Sequence, residues 1–290
     1  MSELQSLIKT GVEVRPPVII IYGEGGRGKT SFGAKALNPI FLQTEKGQGT
    51  LDFPRMDVNG FDDFKKVTSL LSKEKHDYKT LVIDSLDWLE PMVWDDTIRN
   101  VPTDKGVFVK SIQEYPYNKG FCHTIKSWDY VFKAIDHFNK KRDMMVVLIA
   151  HAKVKTHNPP DSAAAYDKYS IKLFEPPNDD ESKGHNVAKR FHQYADCVFF
   201  TRLQAATSQD AINKKKHKGS VYLPLELLTV ETPFALCKNR FDMPPTMPFD
   251  KETAAWPEIA KYIPWLRERI ATTPVEQELE QETQGESENG

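Results

Sequence analysis

The chain has 290 residues, 39% of them hydrophobic and 28% charged, and a formal net charge of -2, a composition that suits one substantial core with appendages. No apolar run approaches the roughly 20 residues of a membrane span, and the three scattered cysteines, Cys122, Cys197 and Cys237, lack disulfide or metal-ligand spacing. Met1 to Gly11 carries neither an apolar core nor a small-residue cleavage site, so a cytosolic protein with no membrane partner is expected.

In chain order, residues 1–16 read as a short lead and residues 17–270 as one domain. Val18 to Tyr22 is a β-branched strand that enters a glycine-rich loop, and Thr30 to Leu37 reads as a helix. Pro39 to Gln43 is a second strand, Phe61 to Lys73 a helix with apolar Phe61, Phe64, Val67, Leu70 and Leu71, and Thr80 to Ile83 a third strand. This alternation predicts an α/β fold, a mainly parallel twisted sheet flanked by helices. Trp88 to Phe121, broken by Pro91, Pro102, Gly106, Pro116 and Gly120, reads as a long loop. Trp128, Val131, Phe132, Ile135 and Phe138 mark an amphipathic helix before a buried strand, Met144 to Ala150, and Lys153 to Gly184 is a second long loop. A helix at Val187 to Tyr194 and a strand at Asp196 to Leu203 follow. Val221 to Pro224, Leu227 to Val230 and Phe234 to Lys238 are short strand candidates near the basic run Lys214 to Lys218, and Ala254 to Ile270 is a closing helix interrupted by Pro257 and Pro264. Residues 271–290 form an acidic tail expected to be disordered. Without its six glutamates the 41 acidic residues fall to 35 against 39 basic ones, a mildly basic remainder that permits nucleic-acid binding without demanding it.

The chemistry begins at Gly23-Glu24-Gly25-Gly26-Arg27-Gly28-Lys29-Thr30, which matches the eight-position P-loop pattern in full and is followed by Ser31. Glycines let backbone N–H groups turn inward around phosphates, the following helix offers its positive end, Lys29 reaches the β- and γ-phosphates, and Thr30 offers its hydroxyl to Mg²⁺. ATP and Mg²⁺ are therefore the expected ligands. Thr80-Leu81-Val82-Ile83-Asp84-Ser85 is an apolar strand ending in an acid, as the Walker B carboxylate of the magnesium shell requires; the alternative is an aspartate that caps the next helix. The strand Ile40 to Gln43 delivers Thr44 and Glu45 to the carboxyl edge of the sheet, which makes Glu45 the candidate general base for an attacking water.

In this order and spacing the chain resembles the RecA/RadA recombinase core, a RecA-like P-loop NTPase fold, and looks most like the phage-encoded RecA-core single-strand annealing ATPases of the Sak type. Gln43-Thr44-Glu45 resembles the strand end that carries their catalytic glutamate, and Val82-Ile83-Asp84-Ser85 is similar to their Walker B strand. By the same resemblance His151, in Ile149-Ala150-His151, would sense the γ-phosphate and open the second DNA-binding loop. Lys238 and Arg240, in Cys237-Lys238-Asn239-Arg240, would reach the ATP of a neighbouring subunit. The resemblance runs from about Val18 to Pro245 and implies a homo-oligomer acting on single-stranded DNA in a phage-infected bacterial cytoplasm, with a single-strand-binding protein as a further candidate partner. Against the same resemblance, the linking N-terminal helix and strand of RecA are expected to be missing or minimal and its large C-terminal domain missing, which favours a reduced annealing or accessory activity over filament formation and full strand exchange.

A ring-forming translocase or helicase-like motor shares the same residues and is the second reading. A small-molecule kinase would need an arginine-bearing lid, and Lys153 to Gly184 contains no arginine; a non-hydrolysing switch would leave Glu45 without a role. Single-stranded DNA is expected on the two long loops, Thr97 to Lys126 and Lys153 to Lys189. The first carries Arg99, Lys105, Lys110, Lys119 and Lys126 with Phe108, Tyr115, Tyr117 and Phe121 among them, a mixture suited to neutralising phosphates and stacking bases.

Overall fold

Strands that are apolar at every position form the centre of a sheet covered on both faces. The computed structural model describes residues 7–8, 10–46, 49–158, 164–176, 186–204, 224–250 and 252–270, and within them Val18–Gly23 (β1) is buried at all six positions. Beside it stand Pro39–Gln43 (β2), Arg55–Asp57 (β3), Thr80–Asp84 (β4), Met145–His157 (β5) and Cys197–Leu203 (β7). The parallel order is β7-β1-β5-β4-β2-β3. Leu225–Leu228 (β8) and Thr246–Phe249 (β10) extend the β7 edge antiparallel, Tyr166–Ile171 (β6) pairs with β5, and Lys238–Asn239 (β9) pairs with β7.

Alternate residues of each strand serve opposite faces. Ile20, Tyr22, Leu42, Ile83 and Leu148 face Phe61–Lys73 (α2), Leu86–Asn100 (α3), Ile125–Lys141 (α5) and Val187–Tyr194 (α6). Ile19, Ile21, Phe41, Val82 and Val147 face Lys29–Ala34 (α1), Trp256–Ala260 (α7) and Pro264–Ile270 (α8). Helix α2 buries Phe61, Phe64, Thr68 and Leu71, places Asp62 and Asp63 in its first turn and Lys73 in its last, and so agrees with the helix macrodipole at both ends. Trp256 ties α7 to α1 by donating its indole N–H to the Phe32 carbonyl at 2.8 Å.

Two expected loops contain regular elements among the described residues. Helix α3 runs through Pro91, its sixth residue, although proline cannot donate to the carbonyl one turn earlier. Leu86, Leu89, Glu90 and Val93 are buried along its length, and that packing outweighs the lost hydrogen bond. The irregular stretch is shorter, containing 3-10 turns at Ile112–Glu114 and Pro116–Asn118 and the helix Lys119–His123 (α4). Strand β5 does not stop at Ala150. It continues to His157 and returns as β6, with Ala152 opposite Ile171 and His157 opposite Tyr166. Its outer half alternates polar and apolar residues because a two-stranded hairpin has an open face, and that pattern obscures a strand in an otherwise polar text.

Other differences are local. The short strands β3 and β10 are absent from the sequence reading; β8 begins two residues before the expected Leu227, and of Phe234 to Lys238 only Lys238 joins a ladder, beside an isolated bridge at Ala235. Cys197 and Cys237 are buried and Cys122 is half-buried, all as free thiols. Among the described residues no helix is long and apolar enough to cross a membrane. Lys214 to Lys218, Val221 to Leu223, Gly184, His185 and the acidic tail lie outside the described residues.

Candidate functional site

Strand β1 ends at Gly23, and the loop that follows returns to begin α1 at Lys29. Gly26 and Gly28 hold φ of +72° and +79°, a region that favours glycine, and this curls the loop back on itself. Thr201 of β7 donates its hydroxyl to the Arg27 carbonyl at 2.8 Å and anchors the loop from the neighbouring strand. The Lys29 ammonium is buried and donates to the Gly23 and Glu24 carbonyls at 3.1 and 2.7 Å. Burial lowers its pKa, against the opposing pull of Asp84, Asp87 and Glu45. The loop opens onto a cavity of about 490 Å³ lined by Gly25 to Ser31, Gln43, Glu45, Gly49 to Leu51, Asp84 and His151.

Sheet register assembles the rest of this cavity. Gly23 pairs with His151, Asp84 with Ile149, and Gln43 with Asp84, so three strand ends meet at one edge. Thr30 donates its hydroxyl to an Asp84 carboxylate oxygen at 2.9 Å. Burial pushes Asp84 up to about 6, opposed by the Thr30 hydrogen bond and raised further by nearby Glu45. Thr44 locks the ends of β2 and β4 together: its hydroxyl donates to the Ser85 carbonyl and accepts the Ser85 N–H, both at 2.8 Å. The Thr44 and Glu45 N–H groups donate to the Asp84 carbonyl at 2.8 and 3.3 Å. Glu45 is thereby held at the wall between this cavity and a second cleft of about 810 Å³ that contains Trp88 and Arg55. Thr30 and Asp84 offer the hard oxygen donors that Mg²⁺ prefers, and among the described residues no trio of His, Cys, Asp or Glu competes for a metal. The donor set fits an ion completed by phosphate and water oxygens.

Asp87 and Glu90 are functional candidates absent from the sequence reading. One turn of α3 separates them, and both face the base of the β5–β6 hairpin: Asp87 accepts the His151 N–H at 2.9 Å, and Glu90 accepts the Phe174 N–H at 2.9 Å. Their three-residue spacing on a helix was the available signal, hidden by reading Trp88 onward as loop. Burial pushes Glu90 up to about 7.

Lys238 and Arg240 do not join this cavity in their own chain. β9 pairs with Cys197 and Val198, which face Ile19 and Ile20 of β1, so Lys238 lies about 10 Å along the strands from Gly23. Lys238 caps the end of α6 through the His192, Gln193 and Ala195 carbonyls at 3.0, 2.8 and 2.7 Å. Arg240 shares the buried Asp196 carboxylate with Arg15, at 3.1 and 2.5 Å. The aromatic residues of the first loop also divide. Tyr115 is buried with its hydroxyl donated to the Val101 carbonyl, and Phe121 stacks on Phe174 with ring centres 3.8 Å apart, so neither is a free platform. Tyr117, 93% exposed, and Phe108, 59% exposed, remain open to solvent.

A family model described as AAA domain matches residues 15–222, more than half of the chain. The SPbeta prophage-derived uncharacterized protein YorG of Bacillus subtilis (strain 168) is 34% identical over 87 residues, covering 28% of this chain and 26% of that protein. The matched stretch thus spans about a quarter of that relative's length.

Proposed function

The chain belongs to the AAA-domain family of P-loop ATPases, and from that premise we propose that it is a phage-type, ATP-dependent single-stranded-DNA-binding protein for annealing or recombination. The observation that carries the ATPase half is the Thr30–Asp84 contact of 2.9 Å in one cavity with Lys29 and Glu45. Lys29 exchanges its two carbonyl partners for phosphate oxygens, a charge-assisted replacement for neutral acceptors. Thr30 and Asp84 would hold Mg²⁺, which would supply positive charge against the charge developing on the phosphates. Glu45 orients and deprotonates the attacking water. The likeness to a prophage-derived protein supports the phage origin.

The DNA half rests on continuity. Strand β5 passes His151 at the cavity and runs on into a hairpin bearing Lys153, Lys155, Lys168 and Lys172, so a change at the phosphates has a direct path to a basic projection. Glu175 and Glu231 pair with three of these lysines, which makes the hairpin a site to be released for phosphate contact. The ATPase domain in this reading is residues 17–270, assembled as a homo-oligomer in the host cytoplasm, with Lys238 and Arg240 serving the neighbour's nucleotide. ATP turnover by the purified protein with single-stranded DNA, duplex DNA and no DNA is the test. Stimulation by single strands alone is expected. Equal stimulation by duplex would favour a ring translocase, and absence of turnover under every condition would reject the ATPase assignment.

A further inference from the structure

Asp87 is buried to 3% side-chain exposure on the first turn of α3, and its carboxylate meets His151 twice. It accepts the backbone N–H at 2.9 Å and lies 3.2 and 3.0 Å from the ring Nδ1 through its two oxygens. Lys172 stands behind it at 3.8 Å. Burial alone would raise the Asp87 pKa, but its hydrogen bonds with His151 hold it below the ordinary carboxylate value. An ionised carboxylate accepts hydrogen bonds and cannot donate them, so the ring proton resides on Nδ1. Nε2 has no hydrogen-bond partner among the described residues, and the ring lines the cavity with Lys29, Thr30 and Glu45.

Resting on the ATPase reading, we infer that Asp87 is a positioning residue that fixes the His151 tautomer and presents Nε2 to the terminal phosphate of a bound nucleoside triphosphate. Nε2 is then the ring atom left to face the phosphate, and the carboxylate behind the ring holds the imidazole in that orientation. The charged groups around the ring are Asp87 and Lys172 on one side and Lys29, Glu45 and Asp84 across the cavity. Because His151 is the residue at which β5 leaves the parallel sheet, the same pair ties the terminal phosphate to the root of the hairpin.

The tautomer can be read directly from imidazole ¹⁵N resonances of the full chain, with His151 assigned by their loss in His151→Gln. The expected result is protonated Nδ1 in the free protein and a shift of Nε2 on adding Mg-AMP-PNP but not Mg-ADP. In Asp87→Asn an amide group can face Nδ1, so the tautomer reverses. Turnover then falls roughly 10–100-fold, the range typical of removing a carboxylate that orients a metal-bound histidine, AMP-PNP affinity falls with it, and Mg-ADP affinity, which involves no terminal phosphate, changes less than about twofold. In a His151→Gln background the same substitution costs less than about twofold, since the ring it acts through is gone. If Asp87→Asn does not fold, Asp87→Ser retains an acceptor for the backbone N–H and is read in the same way. A ring protonated at Nε2 in the free wild type, ring nitrogens unchanged by the substitution, or a full penalty without the imidazole would each overturn the inference. The tautomer is observed without turnover, so a wild type that fails to hydrolyse ATP refutes the proposed function separately.

Discussion

Replacing Gly28 by alanine tests whether the curl of the phosphate loop depends on the absence of a side chain. Its φ of +79° costs an L residue roughly 1–2 kcal/mol. An added Cβ would also stand 2.5 Å from Phe249 Cε1 and 3.1 Å from Cζ. Phe249 is 3% exposed on β10 and stacks near Phe32, with ring centres 6.4 Å apart, so it has no open space to enter. Overpacking of this kind adds roughly 1–3 kcal/mol, for a total of about 2–5 kcal/mol. Gly26→Ala is the control, because its φ of +72° carries the same backbone strain while its Cβ would meet nothing within 4 Å. Urea unfolding should therefore rank wild type above Gly26→Ala and Gly26→Ala above Gly28→Ala, with similar m-values. Phe249→Leu should recover about 1 kcal/mol or more in the Gly28→Ala background, the part due to overpacking. A Gly28→Ala protein as stable as Gly26→Ala would refute the reasoning.

Four further outcomes are expected. Glu45→Gln should retain nucleotide binding and lose turnover by a factor on the order of 10²; parallel loss of both in titration and steady-state assays would mark Glu45 as structural. Tyr117→Ala should weaken single-stranded DNA binding roughly five- to hundredfold at unchanged Tm, since a stacked base is worth about 1–3 kcal/mol. Phe121→Ala should lower Tm instead, because its ring packs on Phe174 and Trp94; the reverse pattern would exchange their roles. Arg240→Ala should fold, as Arg15 still neutralises Asp196, and mixing it with Lys29→Ala subunits should restore part of the turnover if Arg240 acts across a boundary. No rescue despite proven co-assembly would place it within its own chain. Finally, burial raises the Glu90 pKa from 4.5 to about 7, so the folded state binds a proton that the unfolded state has released. Stability should fall by up to about 3 kcal/mol as pH rises from about 4.5 to about 7 and then level off, and Glu90→Gln should flatten that slope in urea melts; an unchanged slope would assign it to other groups.

The elements written in contiguous residues were legible. Helices α2 and α6 fall at the expected Phe61–Lys73 and Val187–Tyr194, and β2 at Pro39–Gln43, because each carries its own period and clear ends. Helix α3 and the β5–β6 hairpin were not, and for different reasons. In α3 a local rule about Pro91 was overridden by burial of residues on a distant core. In the hairpin the pairing partner of each β5 residue lies nine or more residues away, and a half-solvated strand reads like polar loop. Local propensity is a weak prior in both cases because tertiary contacts decide.

The site divides along the same line. The loop from Gly23 to Thr30 is a single run of sequence, and its chemistry follows from residue type and order. The relation of that loop to Asp84 and His151 depends on strand order, which the order along the chain does not reveal. β5 follows β4 in sequence yet inserts between β4 and β1 in space. Had β4 lain beside β1, His151 would have been one strand, about 5 Å, farther from the phosphate loop. With β5 between them, His151 pairs with Gly23, and β5 also pairs with the strand that ends in Asp84. One residue therefore borders both the phosphate loop and the candidate metal carboxylate. The same strand leaves the sheet there as a hairpin, so any force on the His151 ring acts at the hairpin's root and not at its tip.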